Sequence, residues 1–165
     1  MEYIRFVSGM SRWDGSMNLS RPNAGVCGDA ITDLKTTNNE LSIWLVDNEN
    51  QIDEVAAVIA LERYELDKVC YVKLDKRLIE NILTIKTTKG RCKPIIDQSI
   101  LDRHRDIEGL DSKLLETLSS YMLQQVQQSN FGNRDRMKMK TIINDMIQNK
   151  QIDEKLIKEN IKKDL

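Results

Sequence analysis

Histidine occurs once in this chain of 165 residues, at position 104, so no site built from several imidazoles is available. Cysteine is nearly as scarce. Cys27, Cys70 and Cys92 are odd in number and far apart, too few for a zinc tetrad and unsuited to a disulfide framework. They read as free thiols of a reducing compartment, with Cys70 buried in the apolar run VCYVKL. An excess of charge of either sign is also missing. Lys plus Arg total 25 against 26 Asp plus Glu, a formal net charge of −1, which removes the argument that a basic chain must bind nucleic acid. No apolar run approaches the roughly 20 residues of a membrane helix. The opening MEYIRFVSGMSR has Glu2, Arg5 and Gly9 where a secretory signal would need an apolar stretch. The expectation is a cytoplasmic protein with no membrane association.

What remains is a globular balance, 40% hydrophobic and 31% charged. Residues 2–7 alternate and are rich in aromatic and β-branched types, which predicts a short strand. From 8 to 40 the pattern dissolves into a long glycine-containing loop region, with a short strand possible over 30–35. LSIWLV at 41–46 reads as a central strand, apolar on both faces. Asn50 is placed to cap a helix that carries Ile52, Val55, Ala56 and Ile59 on one side and ends near Tyr64. A strand over 69–74 follows. Strand, helix and strand at this spacing predict a βαβ crossover with its two strands parallel. Asp75 caps a short helical turn, 82–87 is a further strand, and Lys89-Gly90 is placed to fold it back on 91–96 as a hairpin. The later sequence is helical. Leu114, Leu115, Leu118, Met122 and Val126 share a face, residues 129–133 break the pattern, and 135–149 align Met139, Ile142, Ile143, Met146 and Ile147. Asp153 then caps a last helix, with Ile152 and Ile157 spaced as a hydrophobic staple.

The fold class expected is therefore α+β: a mixed sheet of four to five strands with one βαβ crossover, followed by a helical C-terminal extension. The organisation expected is an α+β domain over 1–128 and a helical segment over 134–165. That segment holds nine Lys or Arg against six Asp or Glu, so it is locally +3 within a near-neutral chain. A basic face of this kind can rest on nucleic acid, but with few phosphate contacts.

Two clusters carry possible chemistry. In Arg103-His104-Arg105-Asp106, guanidiniums beside an imidazole and a carboxylate can grip a phosphate and move a proton, which makes His104, Arg105 and Asp106 the catalytic candidates. The same four residues also read as a polar connection into the next helix. The string HRD occurs in kinase catalytic loops, but Asp111 stands where that loop needs Asn, and no glycine-rich loop or D-F-G accompanies it. Arg12 and Trp13, followed by Arg21, have the composition of a binding hot spot if Trp13 is exposed, and of a sheet cover if it is not. Cys27 could meet His104 as a nucleophile only by chance of folding. Gly25–Asp29 lacks the Lys-Ser/Thr pair of a phosphate loop. Met137, Met139, Ile143 and Met146 form an adaptable apolar face that must cover the domain, another copy or another protein.

Taken together, these features favour a microbial protein-interaction module of the antitoxin, immunity or defence-accessory type. Its expected contacts are Arg12, Trp13, Arg21 and the Met/Ile face; it has a protein partner, a possible homo-oligomer, and no metal or cofactor. The alternative is a phosphate-handling or nucleic-acid-processing enzyme using residues 103–106.

Overall fold

The computed structural model describes residues 1–13 and 28–165. Its centre is a six-stranded sheet of β1 (Glu2–Val7), β2 (Leu41–Val46), β3 (Val69–Asp75), β4 (Thr84–Thr87), β5 (His104–Glu108) and β6 (Phe131–Arg134), in the order β4-β5-β2-β1-β3-β6. Every neighbouring pair is antiparallel. This corrects the expected mixed sheet of four to five strands. β2 and β3 do run in the same direction with helix α1 (Glu49–Glu62) between them, as the crossover requires, but β1 is inserted between them and pairs with both. A strand earlier in the chain thus occupies the gap that a βαβ unit would close directly, and the parallel pairing never forms.

Alternation along the strands explains why helices cover both faces. Ile4, Trp44, Val46, Val69 and Tyr71 point into a core with α1 and α5 (Arg136–Gln148), while Tyr3, Val7, Ile43, Cys70, Val72 and Leu74 point into a second core with α4 (Ser112–Gln127). Each long helix starts on an acidic or amide cap. Asn48 (two residues before the expected cap), Asp111 and Asp135 accept the backbone N–H of Gln51, Leu114 and Lys138. The short α2 (Lys76–Ile82) is capped by Asp75 as expected.

The C-terminal segment shares the first core. Met139 and Ile143 are fully buried, Met146 nearly so, and Ile152, Ile157 and Ile161 complete the same cluster. Arg134 of β6 adds a polar clasp, bonding Asp53 and Glu49 of α1 and the Tyr71 hydroxyl of β3.

Three connections differ from expectation. Residues 91–96 form no hairpin with β4. β5 takes that place, and the chain from 88 to 97 lies as a loop before the short helix α3 (Gln98–Leu101). Gly90 explains part of that path, because its N–H donates to the Leu101 carbonyl and a Cβ there would come within 2.6 Å of the Trp44 indole. Gly28–Leu34 forms a 3-10 segment instead of a strand. A tight turn then follows, in which Asn38 and Asn39 both have positive φ between the bridged Thr37 and Glu40. After α5, the helical remainder consists of a 3-10 turn at Glu154–Leu156 and the short α6 (Glu159–Lys162). No helix among the described residues is long and apolar enough to cross a membrane.

Candidate functional site

β5 carries the cluster read from the sequence, and its pleat takes the cluster apart. His104 lies opposite Trp44 and Asp106 opposite Ser42, whereas Arg105 lies opposite Ile43 and Ile107 opposite Leu41. His104 and Asp106 therefore share the sheet face of Trp44, and Arg105 belongs to the other face. Arg105 donates to the carbonyls of Asp102 and His104, each at 2.7 Å. Arg103, just before the strand, pairs with Glu54 of α1 at 2.5 Å. Four consecutive residues thus enter three environments, and only His104 and Asp106 remain together.

The His104 ring meets the Trp44 indole edge-on, with centroids 5.0 Å apart. Its Nδ1 is 2.7 Å from the Thr88 hydroxyl, and its Nε2 is 3.9 Å from Asp106 Oδ1, beyond a direct hydrogen bond. That same Oδ1 accepts from Ser42 Oγ at 3.0 Å. Burial holds the imidazole below its usual pKa; Asp106 opposes this, and Arg105 and Arg5 add to it. At neutral pH the ring is therefore mainly uncharged, the form that can accept a proton.

These groups open into a cleft of about 1040 Å³ lined by β2 and β5, the turn at 37–40 and the loop following β4. Cations dominate its lining: Arg5, Lys35, Lys89 and Arg91, against Glu40 and Asp106. Lys89 lies 3.6 Å from Asp102, both well exposed. Lys35 and Arg91 make no ion pair among the described residues.

Arg5 is the unusual member. β1 pairs with β2 only as far as Ile4 and Trp44, although its pairing with β3 continues to Val7. The Arg5 guanidinium fills the split. It donates to the Ser42 carbonyl at 2.6 Å and to the Asp33 carbonyl through Nε and Nη2 at 3.1 and 2.5 Å. All three bonds end on neutral oxygens, and no carboxylate among the described residues approaches within ion-pair distance. The Asp33 carboxylate acts on Arg5 only at longer range, because it is held by Ser8 and Trp13. Burial pulls the guanidinium down to about 10, partly offset by Asp33.

The other candidates are placed as follows. Trp13, read as a possible exposed hot spot, is fully buried in the α4-side core, and its indole N–H donates to Asp33 Oδ2 at 2.9 Å. Arg12 reaches Ser8 and Thr32. Met139, Ile143 and Met146 are buried beneath α5, while Met137 is 71% exposed. Arg21 and Cys27 lie outside the described residues, as does most of Gly25–Asp29. No group of three His, Cys, Asp or Glu side chains among the described residues is arranged to hold a metal ion. Sequence reasoning missed Arg5, Ser42, Thr88 and the cationic rim. One signal was legible, an arginine in the middle of the otherwise apolar strand YIRFV. Comparisons with protein-family models, curated proteins and solved structures found no match to this chain.

Proposed function

We propose that this protein binds a phosphate-bearing ligand in the cleft beside β5, with His104 as its proton-exchanging group. One observation carries the reading: Arg5 is a half-buried cation with no carboxylate of the described residues in contact, and it lines a cleft whose rim adds Lys35, Lys89 and Arg91. A half-buried charge whose direct bonds all end on carbonyls, with Asp33 acting only at longer range, is costly, and an anion entering from the open side offsets that cost. Several cations around one cleft offer donors to several phosphate oxygens, and guanidinium forks match phosphate geometry. His104 and Asp106 lie within the same cleft and can supply acid-base chemistry to a bound phosphoester.

The protein-interaction reading drew on Trp13, Met139, Ile143 and Met146. All four are packed inside the molecule, which leaves Arg12 and Met137 as its described surface residues. The cleft is therefore the better-supported site.

Calorimetric titration with pyrophosphate at low ionic strength tests the reading. The native chain should bind it. The double variant Lys35→Gln, Arg91→Gln, altered only at exposed rim positions, should bind about three- to tenfold more weakly with unchanged circular dichroism. The absence of binding by the native chain, or equal affinity in the double variant, would overturn it.

A further inference from the structure

We infer that the cleft takes its anion together with a proton, and that the Thr88 hydroxyl couples the two events. The inference rests on the anion-binding reading and adds to it how binding is regulated. His104 is held between two oxygens of different character. Asp106 lies on the Nε2 side at 3.9 Å and Thr88 on the Nδ1 side at 2.7 Å. The Asp106 carboxylate favours hydrogen on Nε2, which leaves the Nδ1 lone pair to accept from the Thr88 hydroxyl.

A hydroxyl has one hydrogen to give. While Nδ1 is unprotonated, Thr88 donates that hydrogen to the ring and has none for a ligand. When a solvent proton binds at Nδ1, the N–H donates to Thr88 Oγ1, and the hydroxyl hydrogen turns outward. Thr88 itself lines the cleft, directly before Lys89 on its cationic rim, so the released hydrogen is available to an anion oxygen. Protonation of His104 thus adds a positive charge to the cleft and frees a donor at its wall. By linkage, a bound anion must raise the proton affinity of His104 by the same factor.

The charged groups around the ring set the sign. Asp106 favours the imidazolium, whereas Arg105 and Arg5 disfavour it; around the cleft Lys89, Arg91 and Lys35 have the sign of Arg5 and Glu40 that of Asp106. Without an anion, burial outweighs Asp106 with help from Arg105 and Arg5, and the ring is mainly neutral at pH 7. A multiply charged anion reverses that balance locally. Affinity is then greatest below the pKa of the unliganded ring, and the advantage is lost as pH rises through the raised pKa of the complex.

The chain contains one histidine, so its imidazole nitrogen signals are unambiguous in NMR. Sulfate is the suitable probe, because its own charge is constant between pH 5 and 8. Titration of His104 with and without sulfate should show its pKa raised by about one unit. Sulfate affinity should be about tenfold higher at pH 5 than at pH 8. Thr88→Ser should retain both effects, and Thr88→Val should reduce both to the part that the imidazolium charge alone supplies, while sulfate still binds weakly at pH 8. If sulfate binds but the His104 titration is unmoved, the coupling is wrong and the anion site stands. If Thr88→Val keeps full coupling, the hydroxyl switch is wrong. If sulfate and pyrophosphate both fail to bind, the site itself is refuted.

Discussion

Asp33 gathers three donors onto one buried carboxylate: the Ser8 N–H at 2.9 Å, the Ser8 hydroxyl at 2.5 Å and the Trp13 indole N–H at 2.9 Å. Its backbone carbonyl meanwhile takes two bonds from Arg5. One residue therefore holds the end of β1, seats Trp13 in the core and positions the cation of the cleft. Asp33→Ala should leave an indole N–H and a serine unpaired and remove a nearby counter-charge from Arg5. The expected loss is about 3 kcal/mol in urea unfolding, since buried charged acceptors are expensive to delete. A loss below about 1 kcal/mol would show that water replaces the carboxylate readily. None of this arrangement is local in sequence. Arg5 is visible as an odd charge in a strand, but its half-buried setting follows from where the β2 ladder stops. Thr88 carries no signal at all, because its partner His104 is reached only when β5 pairs beside β4.

Elements with a strong hydrophobic pattern were legible. β1, β2, α1, β3, α4 and α5 all lie where alternation or helical spacing places them, with boundaries within a few residues. β5 and β6 were not legible, for a physical reason. The only buried residue of HRDIE is Ile107, and FGNR has none, so pairing with neighbours makes them strands. The ends of α4 and α5 show a further local feature. Ser129 and Lys150 both adopt positive φ, 62° and 58°, just past the helix ends. At the second, Lys150 N–H bonds the Ile147 carbonyl and Gln151 N–H bonds Met146, a Schellman closure without its usual glycine. Lys150→Gly should relieve the left-handed strain and raise stability by about 0.5–1 kcal/mol, measured as a higher urea midpoint with unchanged slope. A lower midpoint would mean that the lysine side chain contributes more than the strain costs.

At the scale of the whole molecule, the expected helical segment 134–165 shares its core with α1. Ile143, Met139 and Ile161 are fully buried in one cluster with Val55, Ala56 and Leu61. A chain ending at Gln128 should therefore fail to unfold cooperatively in urea, because it loses α5 and the C-terminal isoleucines from that core and exposes the side of α1 that they cover. Retention of a single sharp transition would show instead that residues 1–128 stand alone. The crossover was inferred in direction and missed in neighbours, since periodicity reports which face of a strand is buried and says nothing of which strand lies beside it. The position of β1 between β2 and β3 has a consequence for biosynthesis. Its backbone donors and acceptors are made before either partner strand, and both flanks are filled only once residue 75 has left the ribosome. Until then its apolar side chains are open to chaperones or to another nascent chain. The vulnerable interval in the life of this protein therefore lies in its synthesis, set by the order in which three strands are translated.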